Sequence, residues 1–174
     1  MRLLKKMIHR DIENIEGRIY ERIAARGIIL KGSEILLLYT KRYNDYSFPG
    51  GGVAPQEDLI TGLKRELSEE TGARNIKVIK EYGLFDEYRL SHYDDIDLIH
   101  MTSYFYICKI DEELGKSNLE SYEIANGMSA IWIDIHEAIR HNKEVIANKE
   151  DSMGLSIERE TFVLEMIAKE LTCN

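Results

Sequence analysis

Cysteine and proline are scarce in this chain, with two of each in 174 residues. Cys108 and Cys173 are too few and too far apart for a disulfide framework or a zinc site, so a reducing cytoplasm is the expected home. No stretch approaches the roughly 18 consecutive apolar residues of a membrane span. The opening MRLLKKMIHRDIENIEG also lacks the apolar centre of a secretion signal, so no membrane partner is expected. Beyond Lys5, Lys6 and Arg10 there is no basic cluster, and the formal net charge is -8. That balance excludes a DNA or RNA polymer as the expected partner, while a small polyanion carried in with metal ions stays acceptable. No internal repeat, low-complexity tract or linker divides the chain. Its length and its 44% apolar, 31% charged composition fit one globular domain.

What is present is organised by hydrophobic pattern. Arg18 to Leu30 and Glu34 to Thr40 are rich in Ile and Leu and flank Lys31-Gly32-Ser33, which predicts a β-hairpin. Residues 41–56 hold both prolines and the run Gly50-Gly51-Gly52, the composition of a loop whose backbone can approach a ligand closely. A helix of about four turns follows. Pro55, the acidic pair Glu57 and Asp58, and Gly72 supply its start and stop signals, and Leu59, Leu63 and Leu67 mark its buried side. Gly62, a poor helix former, suggests a backbone packed against mid-helix. Strands are predicted over Asn75 to Tyr82 and Leu98 to Ile110 with an acidic loop between, then a short strand over Ser129 to Ile133. Helices are predicted from Asp134 to about His141 and from Ile157 to Leu171. Val163, Leu164, Ile167, Ala168 and Leu171 form the apolar stripe of the second, and residues 142–156 read as a hinge before a packing or dimer helix.

The strongest chemical signal lies on the first helix. Glu66, Glu69 and Glu70 fall at i, i+3 and i+4, so three carboxylates share one exposed face. Crowded like charges raise carboxylate pKa values, and a divalent cation relieves the cost. An isolated Arg-Glu-x-x-Glu-Glu is more often a solvated face than a site. Its surroundings decide here. Gly51, Glu57, Arg65, Glu66, Leu67, Glu69, Glu70, Gly72 and Ala73 fill the pattern G-x5-E-x7-R-E-U-x-E-E-x-G-U, which resembles the signature box of the Nudix hydrolases. Ala73 departs slightly, since the family more often carries a larger aliphatic residue there.

The resemblance implies an α/β/α sandwich around a mixed β-sheet, with the box as a loop-helix-loop. Residues 1–17 and 143–174 lie outside it as terminal extensions. It implies Mg²⁺- or Mn²⁺-dependent hydrolysis of a nucleoside diphosphate linked to another group. Glu66 and Glu70 become the firmest metal ligands, Glu69 a ligand or the base, and the Gly50 carbonyl a backbone ligand. Gly51, Gly52 and Gly72 shape the box loops, Arg65 is placed to hold Glu69, and Glu57 to steady the loop or bind a second metal. Glu123 occupies the region where many members place a further base or ligand.

Around that centre, Tyr43, Tyr46, Phe48, Tyr82 and Tyr88 are candidates to stack on a base, although most tyrosines simply pack. The stretch Asp86 to Asp97 could bring a carboxylate or His92 to the phosphates or be a solvated loop. Trp132 and Cys108 read as core. By elimination the expected substrate is a (deoxy)nucleoside triphosphate or an oxidised nucleotide. The subgroup of the resembled family that cleaves ADP-ribose often carries a proline well downstream of the box, and none follows Pro55 here, which counts modestly against ADP-ribose. Nucleotide sugars and dinucleoside polyphosphates stay open, as does a nucleotide sensor without turnover. An isoprenoid diphosphate isomerase would need a reactive cysteine beside the site.

Overall fold

A computed structural model describes residues 1–150 and 152–171; Cys173 lies outside the described residues. Two sheets form its centre. In the first, β6 (Lys77–Leu90) and β7 (Leu98–Lys109) pair antiparallel from Lys77 opposite Lys109 to Leu90 opposite Leu98. Two outer strands run parallel to them: β1 (Leu3–Ile8) beside β6 and β2 (Ile19–Ile28) beside β7, giving the order β1-β6-β7-β2. In the second sheet β4 (Glu34–Thr40) is central. Strand β8 (Met128–Asp134) pairs along its whole length, and β3 (Leu30–Lys31) and β5 (Asp45–Ser47) pair with its two ends. Ile35, Leu36, Leu37 and Leu38 are all buried, as a continuous apolar strand must be when both faces are covered.

Helices cover the sheets on both sides. Helix α1 (Leu59–Thr71) lies on β2 and β8, with Leu63 and Leu67 fully buried. A Cβ on Gly27 of β2 would lie 2.8 Å from Leu67 Cδ2, so glycine there lets helix and strand approach. The other side carries α3 (Ile135–Asn148) and α4 (Ile157–Leu171), packed on each other, with α3 also against β5 and β8 and α4 against β5. The architecture is the expected α/β/α sandwich. No helix among the described residues is long and apolar enough to cross a membrane.

Several expectations are corrected. The hairpin exists only between β3 and β4; β2 turns away at Ile28 and finds its partner in β7. Local periodicity marks both runs as strands but carries no information about which strand each will meet. The 41–56 segment contains β5. The acidic stretch is half strand: β6 continues to Leu90, and Glu87 is buried inside it. Residues 142–148, read as a hinge, extend α3. Asn142 is buried there, accepting from the Tyr46 N–H and donating to the Tyr46 carbonyl, both at 2.9 Å. Gly62 is crowded by the side chains of Val53 and Glu57 rather than by a backbone. Asp58 is the N-cap of α1, accepting from the Ile60 and Thr61 N–H groups at 3.0 and 3.1 Å. A short helix not foreseen, α2 (Ser121–Ala125), precedes β8. Within the N-terminal extension, residues 3–8 form β1.

One buried ionic cluster ties these parts together. Arg159 of α4 is fully buried; it pairs with Glu87 of β6 and donates to Glu160 Oε1 at 2.6 and 3.1 Å. The other oxygen of Glu160 accepts from the Phe48 N–H at 3.0 Å. Removing the cation would leave two carboxylates in a dry interior. Arg159→Met should therefore destabilise the fold by about 3–5 kcal/mol, read as a lowered urea midpoint. An unchanged midpoint would show that the cluster is not needed for folding.

Candidate active site

Residues 49–53 run along the free edge of β2 as if they were another strand. The Pro49, Gly51 and Ile23 carbonyls accept from the Gly27, Ala25 and Val53 N–H groups at 2.9, 3.0 and 3.0 Å, and Ala24 bridges Gly52. Two glycines make this possible. Gly50 has φ of +124°, and a Cβ there would fall 2.2 Å from the Ala25 carbonyl oxygen. A Cβ on Gly51 would fall 2.4 Å from Glu66 Oε2. The loop thus brings bare backbone against the carboxylate face of α1.

That face closes one side of a cleft of about 420 Å³, lined by Glu66, Glu69 and Glu70, by Glu120 and Glu123 around α2, and by Arg22 and Arg26 of β2. The carboxylates differ in setting. Glu70 was expected on an exposed face but is buried, its Oε2 accepting from the Gly50 N–H at 2.5 Å. Burial pushes its carboxyl up to about 8, against the pull of Arg26 and the Gly50 N–H, with Glu66 and Glu123 adding to the rise. Arg65 gathers the rest. Its Nη1 donates to Glu66 Oε1 at 2.6 Å and to Glu69 Oε2 at 3.2 Å, while Nε and Nη2 hold both oxygens of Glu57 at 3.0 Å. The sequence pointed to the Arg65–Glu69 contact; the structure adds Glu57 and Glu66. Glu57 also accepts from the Ala54 N–H at 3.3 Å, so it steadies the loop.

The remaining candidates separate. Glu123 is buried at the cleft, accepting from the Glu120 N–H at 2.7 Å and from the Tyr122 hydroxyl at 3.2 Å. The Gly50 carbonyl, expected to face a cation, accepts instead from the guanidinium of Arg26, which also donates to the Phe48 carbonyl at 3.3 Å. Gly72 sits at the far end of α1 as its left-handed cap. Of the aromatic candidates only Tyr43 lines the cleft. Tyr46 packs between Tyr39 and His141, Phe48 sits edge-on to Phe105 in the core, the Tyr82 hydroxyl donates to Glu170, and Tyr88 stacks on His100. No residue of Asp86 to Asp97, His92 included, lines the cleft. Cys108 is buried in the second core cluster, its thiol pushed up to about 12 by burial, and Trp132 packs against the same cluster. Arg22, Arg26 and Tyr122 were not anticipated. The alternation Arg22, Ala24, Arg26 within a strand was the available signal, because it places two cations on one face.

A family model for the NUDIX domain matches residues 21–152. The chain belongs to the Nudix family. The Nudix fold recurs in the solution structure of the E. coli ORF135 protein, with a TM-score of 0.51 and 17% identity over 87% of this chain and 93% of that one. It recurs again in the crystal structure of the mMutator MutT protein from Bacillus halodurans, at 0.50 and 20% over 76% and 83%. Among curated relatives, the RNA pyrophosphohydrolase of Bartonella henselae is 45% identical over 42 residues, 24% of each chain. The human diphosphoinositol polyphosphate phosphohydrolase 3-beta is 30% identical over 110 residues, 62% of this chain and 58% of that protein. The chain spans between 24% and 58% of the length of the curated relatives it matches.

The Nudix cleft offers only oxygen donors on its carboxylate wall, the chemistry of a hard divalent cation. Among the described residues no three His, Cys, Asp or Glu side chains converge as a ready-made cage; Arg65 draws Glu66 and Glu69 to itself. Glu70 makes the cost of this arrangement measurable. Its folded carboxyl titrates at about 8 against 4.5 for the free group, so the folded state holds the proton more tightly. Stability in EDTA should therefore fall through this group by on the order of 3–5 kcal/mol between those pH values and level off above them. In thermal unfolding across pH, Glu70→Gln should remove that part of the slope; identical pH profiles would refute the assignment.

Proposed function

We propose that the protein is a divalent-cation-dependent hydrolase that cleaves a phosphoanhydride bond, with a (deoxy)nucleoside triphosphate or oxidised nucleotide as the leading substrate. One observation carries the reading: Glu66, Glu69, Glu70 and Glu123 share a single cleft with Arg22 and Arg26. Carboxylates alone would repel a polyphosphate and arginines alone would only bind it. Together they provide for cations and for phosphates in one place. The relatives named for RNA pyrophosphohydrolase and diphosphoinositol polyphosphate phosphohydrolase activities support the reaction type. They also add RNA and diphosphoinositol polyphosphates to the candidate substrates.

Glu66 and Glu70 are the proposed ligands for Mg²⁺ or Mn²⁺, with Glu69 completing the set, because the Gly50 carbonyl is taken by Arg26. The bound cation would neutralise phosphate oxygens and acidify the attacking water. The protein's own groups do the rest. Arg65 holds Glu66 and Glu69 in place at the cleft by hydrogen bonds from one guanidinium nitrogen. Glu69 is partly exposed with Arg65 as its partner, so it can accept a proton from water. Glu123 is the alternative base, fixed by the Tyr122 hydroxyl and the Glu120 N–H. Water attacks one phosphorus, forming a new P–O bond as the bridging P–O bond breaks; its proton passes to the carboxylate and the other phosphate leaves as the anion. An isomerase reading has less support, since Cys108 is in the core.

Release of phosphate or pyrophosphate should be measured with Mg²⁺ over nucleoside triphosphates, oxidised nucleotides, ADP-ribose, nucleotide sugars, dinucleoside polyphosphates and the two relatives' substrates. Turnover should fall by about 10²–10⁴ in Glu66→Gln and in Glu70→Gln and vanish in EDTA. Normal rates in both variants would sink the site assignment. Silence over the whole panel with retained nucleotide binding would favour a sensor.

A further inference from the structure

The face of β2 that carries Arg22 and Arg26 continues across the first sheet. Arg22 lies opposite Met101 and that residue opposite Glu87, with Arg89 two positions along the same strand. Four guanidiniums therefore gather near this face: Arg22, Arg26, Arg89 and, from α4, Arg159. Their commitments differ. Arg159 is taken up by Glu87 and Glu160. Arg26 serves the Phe48 and Gly50 carbonyls through one nitrogen, while its Nε is enclosed without a hydrogen-bond partner. The Nε of Arg89 is likewise enclosed and unpartnered. Arg22 is exposed at the cleft and makes no hydrogen bond or ion pair among the described residues.

We propose that Arg22 and Arg26, backed by Arg89, form a subsite for a phosphate group outside the diphosphate that is cleaved, so that the preferred substrate carries at least three phosphates. The proposal rests on the hydrolase reading above. Uncompensated like charges cost energy when crowded, and the cost signals an anion that is to be bound. Burial lowers the pKa of both Arg26 and Arg89, and neighbouring guanidiniums press in the same direction against Glu160 and Glu87. The position is also right. A Cβ built on Gly52 would lie 3.5 Å from Arg22 Nη2 and 3.6 Å from its Nε, so the guanidinium stands beside the box loop at the cleft. A guanidinium fork matches two oxygens of one phosphate, whereas the glutamates of α1 can meet phosphates only through cations. Substrates with two phosphates, such as ADP-ribose and nucleotide sugars, would leave the arginine side unfilled. Triphosphates and diphosphoinositol polyphosphates would fill it.

Arg22→Gln is the deciding variant, because Arg22 is exposed and holds no other residue in place. Binding of inorganic tripolyphosphate and of pyrophosphate to the full chain in Mg²⁺ would be measured by calorimetry, with thermal unfolding as a control for the fold. The native protein should bind tripolyphosphate at least tenfold more tightly than pyrophosphate. Arg22→Gln should erase most of that preference, and Arg22→Lys should restore part of it. Equal affinities in the native protein, or an unchanged preference in Arg22→Gln, would overturn the subsite. The turnover panel separates the two readings. Loss of the preference in a protein that hydrolyses nothing would leave the subsite and remove the hydrolase; turnover with an unchanged preference would do the reverse.

Discussion

The hydrogen bond from the Gly50 N–H to the Glu70 carboxylate joins the two parts of the molecule that make the site. On one side is a loop held in register by the edge of β2; on the other is a helix held by its leucines on the same strand. A short hydrogen bond needs both to be placed to within a few tenths of an ångström. The glycines of the loop, the cap at Asp58 and the close approach of Leu67 to Gly27 all serve that placement. The bond also explains why one glutamate of three is buried: its oxygen is drawn toward a backbone donor that itself lies inside.

Charge in this protein is organised around guanidiniums. Arg65 collects Glu57, Glu66 and Glu69 at the surface. Arg26 braces the carbonyls of the loop, and Arg159 neutralises Glu87 and Glu160 in the core. Glu70 and Arg22 are exceptions of opposite sign. Among the described residues Glu70 has Arg26 nearby but no ion pair with it, and Arg22 forms no ion pair. Unbalanced groups of both signs in one cleft are costly to a folded protein without ligand. In the proposed reaction they would complement a substrate that brings negative phosphates together with positive ions.

Much of the site was legible in the sequence because it is local. Glu66, Glu69, Glu70 and Arg65 lie within six consecutive positions of one helix, and helical spacing alone brings them together. Leu63, Leu67 and the stripe of α4 were legible for the same reason. Features that depend on distant partners were not. Whether Arg18 to Leu30 pairs with β4 or β7 is decided across the fold. Glu87 belongs to a strand rather than a loop because its buried carboxylate meets Arg159, 72 residues later in the chain. Most of the aromatic candidates lie away from the cleft for the same reason: Tyr46 is close to the box in sequence, yet its ring is taken by Tyr39 and His141. Arg22 and Arg26 were visible as an alternation, but their meaning came only with the cleft they line.

The bond between Glu160 and the Phe48 N–H spans 112 residues. As the chain is synthesised, the loop that carries Gly50 emerges long before the helix that anchors it. A nascent chain lacking α4 would already hold every residue of the glutamate box, yet the segment beside it would still wait for its last support. The glycine loop is thus braced by segments from opposite ends of the fold, β2 made before it and α4 made long after it.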